Sequence, residues 1–267
     1  MKAAFFIMSC DKNKDVLKHF LLSFNKFVVC DNVKCFVGLN SIDVQLSDNF
    51  TQLIAPVSDW KTEVSYQLNI IKNSHKEFTH LIILLDDFIF NKNVDNVLFR
   101  ELISDDKLGL IKYLRLKKLE DSFFLRFLSK FSKYFYLGSV KCSTIRKNHP
   151  YFYSLQSAIW DIEYLIDSVD RSKDIWHFEN LKPLNDLHYT VCENIFNYKH
   201  IVEKGKWEFY AKRYCEKYIQ FFDAGSREAI ENNLSNYFIN QLKIIKFSLL
   251  GYLRLNKVLN FLNIKIY

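Results

Sequence analysis

Thr79-His80-Leu81-Ile82-Ile83-Leu84-Leu85-Asp86-Asp87 is the stretch on which the fold turns. A short apolar run without polar alternation marks a strand covered on both faces, as in parallel sheets. Here it runs directly into two carboxylates. Towards the N-terminus, Ala3-Ala4-Phe5-Phe6-Ile7-Met8 has the same character. Between the two runs, residues 15–27 carry Val16, Leu17, Phe20, Leu21 and Phe24 at helical spacing. Residues 34–39 and 53–57 read as further strands, the latter stopped by Pro56. Asp59 can cap a helix with Trp60, Val64, Leu68 and Ile71 on one stripe. Towards the C-terminus a helix over 94–103 and a strand over 108–114 continue the alternation. Repeated β-α-β units predict an α/β fold, a Rossmann-like and mostly parallel sheet flanked by helices.

The chain has 267 residues, enough for one large domain or one domain with a small appendage. Its 49% apolar and 25% charged content excludes a disordered polymer. Six glycines, with no G-x-G-x-x-G and no G-x-x-x-x-G-K-[ST], exclude phosphate binding by a Gly-rich loop. Any nucleotide must be held another way. The six cysteines are scattered without a C-x-x-C, which fits reduced thiols better than a zinc or disulfide framework. No apolar run approaches the roughly 20 residues of a membrane span. The expectation is a cytoplasmic protein, soluble or peripheral at the inner face of the membrane.

In open α/β sheets, ligands bind outside the carboxyl ends of the strands. Asp86 and Asp87 stand there, and two adjacent carboxylates favour a divalent cation, Mn²⁺ or Mg²⁺, whose shell substrate phosphates complete. The simpler alternative is that the pair caps the following loop. A second constellation, Tyr153-Ser154-Leu155-Gln156-Ser157-Ala158-Ile159-Trp160, then Trp176-His177-Phe178-Glu179, mixes rings with amides and carboxylates. That is the composition of a sugar-binding wall, and equally of an aromatic core in a chain with 25 Phe and 15 Tyr.

The order of these pieces resembles small bacterial GT-A glycosyltransferases of surface polysaccharide (capsule and lipopolysaccharide) assembly. The resemblance rests on Ser9-Cys10-Asp11, on Leu84-Leu85-Asp86-Asp87-Phe88 in place of a D-x-D motif, and on the two aromatic segments. Glu203-Lys204-Gly205-Lys206-Trp207 is similar to the G-K-W that closes such catalytic domains. It implies a catalytic domain over 1–207 and an extension over 208–267. It further implies transfer from a nucleotide-sugar donor to a saccharide or lipid-linked acceptor, with inversion. Ser9, Asp11, Asp86, Gln156 and Trp160 would then contact the donor, Asp87 with Asp86 the metal, and Glu179 would be the catalytic base. Leu85 replaces the first acid of a strict D-x-D, which leaves metal dependence open.

Residues 107–147 hold eleven Lys or Arg against two acids, and residues 232–267 hold five basic residues and no acid. The tail reads as a basic helical segment, lying on an anionic membrane or packed on the domain. A metal-dependent nucleic-acid enzyme and a non-catalytic membrane-surface protein are the rival readings. Against the former, a net charge of +7 is modest, so nucleic acid is not the expected partner.

Overall fold

A computed structural model describes residues 3–28, 33–41, 46–57, 59–118, 134–145, 147, 149, 152–182, 184 and 187–230. The acid-free tail and residues 119–133 of the basic stretch lie outside the described residues, as does Arg146.

β1 (Ala3–Met8) and β4 (His80–Leu85) lie side by side and parallel, from Ala3 opposite His80 to Met8 opposite Leu85. Alternate residues enter opposite cores: Phe5, Ile7, Ile82 and Leu84 one, Ala4, Phe6, Leu81 and Ile83 the other. Two-sided burial is why both strands read as unbroken apolar runs. The first core is closed by α1 (Lys14–Phe27) and α3 (Asn96–Ser104) through Phe20, Phe24, Phe99 and Leu102. The second is closed by α2 (Trp60–Ser74), α4 (Ile162–Arg171) and α5 (Ile175–Glu179) through Leu68, Ile71, Leu165 and Phe178. Asp59 caps α2 by accepting from the Thr62 amide at 2.9 Å.

The other strands of the main sheet are β2 (Cys35–Leu39), β3 (Phe50–Ile54), β6 (Tyr113–Arg115), β7 (Tyr134–Leu137), β8 (Val140–Ile145), β9 (Ala158–Asp161) and β10 (His188–Val191). The order is β3-β2-β1-β4-β9-β6-β10-β8-β7. β3, β2, β1 and β4 run parallel, and β10 is parallel to β6. β9 opposes β4 and β6, and β8 opposes β10 and β7. Seven strands therefore share one direction and two oppose it. The sheet is mixed but mostly parallel, with helices on both faces.

Two elements differ from the sequence reading. β3 starts three residues earlier than the predicted 53–57, because an edge strand leaves Thr51 and Gln52 half-exposed and interrupts the apolar signal. In 108–114, Asp105 accepts from the Lys107 amide and starts a 3₁₀ turn over Asp106–Leu110, so only Tyr113–Arg115 is strand.

β5 (Phe88–Phe90) leaves the main sheet to pair with β11 (Tyr198–His200). β12 (Val202–Glu203) and β13 (Lys206–Trp207) form a hairpin whose turn residues Lys204 (φ 50°) and Gly205 (φ 79°) are left-handed, as a tight two-residue hairpin turn requires. Trp207 is buried beside His19 of α1 and Phe222. α6 (Ala211–Ile219) packs on the same cluster through Tyr214 and Cys215. The docking continues to residue 230, whose amide bonds the Trp207 carbonyl at 2.7 Å. No helix among the described residues is long and apolar enough to cross a membrane.

Candidate active site

Because Met8 lies opposite Leu85, the parallel strands β1 and β4 deliver Ser9 and Asp86 together at their carboxyl ends. Ser9 Oγ donates to Asp86 Oδ2 at 2.6 Å. Asp86 is only 5% exposed. Its burial, and then the charge of Asp87, push its carboxyl up to about 7, against the bonds from Ser9 and Asn13 and the charge of Arg227.

A carboxyl raised in the folded state stabilises below its unfolded value and loses that contribution as pH rises to the folded value. Between about pH 4 and 7, wild type should therefore lose stability relative to Asp86→Asn, by a few kcal/mol at most. Melting temperatures of the two proteins across that window check this. Parallel curves would remove the assignment.

β5 begins one residue after Asp87, and its register on β11 sets His200 opposite Phe88. His200 Nδ1 lies 3.0 Å from Asp87 Oδ2, and its Nε2 lies 2.8 Å from Gln156 Nε2. Tyr198 donates to Gln156 Oε1 at 2.9 Å and accepts from the Ser157 amide at 3.0 Å. Bond counting assigns the protons. Since Gln156 accepts from Tyr198 through its oxygen, its amide nitrogen donates to His200 Nε2, so the His200 Nδ1–H donates to Asp87. This chain aims Asp87, whose Oδ1 is buried with no hydrogen-bond partner among the described residues. A buried carboxylate oxygen without a donor is costly unless something supplies positive charge or a hydrogen bond.

Glu179 ends α5, half-buried, and its Oε1 accepts from the Leu155 amide at 3.1 Å. Burial raises its pKa, with the Leu155 bond, His200 and Arg115 acting the other way. Glu179 therefore stands next to the segment carrying Gln156.

A cavity of about 420 Å³ opens at these strand ends, lined by Ser9, Asp86, Asp87, Trp60, Glu63 and Ile175 among others. Asn13 and Lys12 on its rim are held by Arg227, which forks onto Asp15 at 3.0 Å and bonds Asn13 Oδ1 and the Lys12 carbonyl. α2 is drawn close by Gln67, whose amide donates to the carbonyls of Leu53 (3.2 Å) and Leu39 (3.4 Å). Gly38 is needed there, since a Cβ would overlap Gln67 Oε1.

Of the expected site residues, Ser9, Asp86 and Asp87 meet at the cavity; Gln156 and Glu179 do not line it, and Gln156 is tied to Asp87 only through His200. Asp11 does not line it. Its Oδ1 instead accepts from the Asn40 and Ser41 amides at 3.0 and 3.1 Å, tying the loop after β1 to the end of β2. Partial burial opposes its charge, but the donors of Ser41 and Asn40 outweigh it and lower the carboxyl. Trp160 is fully buried, its ring 4.5 Å from Tyr113 and 5.7 Å from Phe178. Being central in β9, it points into the second core and cannot contact a donor. His177 is an exposed residue of the first turn of α5, accepting from the Lys173 amide at 3.2 Å.

Among the described residues, no cluster of three or more His, Cys, Asp or Glu could hold a metal ion. The donor set that exists is Asp86 and Asp87, hard oxygens suited to Mg²⁺ or Mn²⁺ only if phosphate and water complete the shell. The orphaned Asp87 Oδ1 fits that arrangement.

No family model matches the chain, and neither does any curated protein. The chain is similar to a solved structure titled "Crystal Structure of A197 from STIV", at 11% identity and a TM-score of 0.37, over 88% of this chain and 100% of that one.

Proposed function

We propose that the protein is a GT-A-type glycosyltransferase of surface-polysaccharide synthesis, moving a sugar with inversion from a nucleotide-sugar donor to a saccharide or lipid-linked acceptor. The observation that carries this reading is the cavity at the ends of β1 and β4, with Asp87 Oδ1 buried and unpartnered beside Asp86. Such an edge suits a pyrophosphate held through a divalent cation, which when bound would offset charge on the leaving diphosphate. Asp87 would hold the cation, with Asp86 beside it.

Glu179 then serves as general base. It takes the acceptor hydroxyl proton as the acceptor oxygen bonds to the anomeric carbon. The bond from that carbon to phosphate oxygen breaks, and the electron pair leaves with the nucleoside diphosphate. A raised carboxyl is better matched to a hydroxyl proton than an ordinary glutamate, and Arg115 nearby favours the ionised form that can accept it. His200 and Gln156 position Asp87. The basic tail would bring the enzyme to the inner membrane face.

A thermal-shift panel of nucleoside diphosphates with Mn²⁺ tests the reading. One nucleotide should raise the melting temperature in a cation-dependent way, because a ligand of the native state stabilises it. Silence across the panel, or a salt-sensitive shift with nucleic acid alone, would overturn it.

A further inference from the structure

The cavity has a second acidic group that the chemistry above does not use. Glu63, in the first turn of α2, lines the wall and is 6% exposed. Its side-chain donors are Gln67, at a long 3.4 Å from Nε2 to Oε1, and Asn40, and the Gln67 amide is already shared with the Leu39 and Leu53 carbonyls. The Asn40 amide beside it is likewise given to the Ala55 and Val57 carbonyls. A carboxylate so placed has only shared donors, and burial raises its pKa, against Asn40 and Gln67.

Glu63 belongs to the same cavity as the aspartates but not to their cluster. The Cys10 thiol lines the same cavity, its pKa raised by burial and then by the charges of Asp86 and Glu63. With diphosphate at Asp86 and Asp87, a nucleoside crossing Cys10 would bring its base to Glu63. Trp60, Val64 and Ile175 there offer an apolar wall.

We infer that Glu63 reads the base edge and that the nucleotide is a guanosine diphosphate. A carboxylate short of donors is matched by two N–H groups side by side. Guanine presents them, N1–H and the 2-amino group, on one edge. Uracil offers a single N3–H between two carbonyl oxygens. Cytosine and adenine each offer one amino group beside a ring nitrogen that accepts, and acceptors face a carboxylate unfavourably.

This inference rests on the glycosyltransferase reading, and calorimetry on the full chain separates the two. GDP, UDP, CDP and ADP are titrated with Mn²⁺ at about pH 8, above the value of about 7 to which Asp86 is pushed. GDP should bind at least about tenfold more tightly than the others, the discrimination of one good paired contact. Glu63→Gln, which turns one acceptor into a donor, should remove that preference while leaving UDP within about threefold of wild type. A tighter UDP, CDP or ADP, or a preference for GDP unchanged in Glu63→Gln, overturns the guanine assignment and leaves the transferase reading standing. Binding of none of the four overturns both. The ranking in wild type is decisive even if the variant folds poorly.

Discussion

Asp87→Asn is expected to lower sugar transfer by about 10³-fold, the scale for removing a charge-stabilising group from a closed site. Asparagine keeps the size of the side chain and an oxygen to accept from His200 Nδ1, so the 3.0 Å contact survives. It loses the charge on the oxygen that has no partner. Mn²⁺-dependent nucleotide binding should fall with transfer, while the melting temperature in the absence of ligand should hold or rise, because two adjacent carboxylates no longer repel. Steady-state transfer, calorimetry and a melting curve on the same preparation check the three statements. Transfer retained within a few fold would remove the aspartate pair from the chemistry. His200→Ala separates aim from charge: Asp87 keeps its charge but loses its positioning partner, so the loss should be partial.

Glu179→Gln is expected to lower kcat by about 10²–10⁴-fold with donor binding unchanged, the range for a positioned general base. Glutamine can still accept from the Leu155 amide through its oxygen, so the segment leading to Gln156 stays in place. What it cannot do is receive a proton. The acid limb of the wild-type rate profile should lie above the ordinary glutamate value, since burial raises this carboxyl. That limb should vanish in the variant, whereas a merely structural glutamate would leave it. An unchanged kcat in Glu179→Gln would pass the role to another carboxylate. Asp161 is a poor substitute, because it caps α4 at the Tyr164 amide (2.9 Å) and pairs with Lys112.

Much of the fold was legible where one signal dominated. The buried strands β1 and β4 stood out because both their faces are covered, and α2 because a capping aspartate precedes an apolar stripe. β3 was legible only in part, since an edge strand half in water mixes polar residues into its run. The aromatic segment around Trp160 was ambiguous because cores and sugar-binding walls share a composition. Only the position of β9 between β4 and β6 sends that indole inward. Asp11 misled for a related reason. A carboxylate after a strand can meet a ligand or bind backbone amides, and the amides of Asn40 and Ser41 were invisible until β2 lay beside β1.

What the sequence by itself determined is the layered α/β architecture and the pair Asp86-Asp87 at a strand end, because periodicity and burial are local properties of a run of residues. His200 lies 113 residues from Asp87, and Arg227 lies 212 from Asp15. No spacing announces either partnership. Each exists because the folded chain brings β11 beside β5, and the stretch after α6 beside α1. The tertiary structure alone decided which carboxylate is aimed, which is half-protonated near neutrality and which is left short of donors. Those properties depend on solvent exclusion and on neighbours distant in the chain.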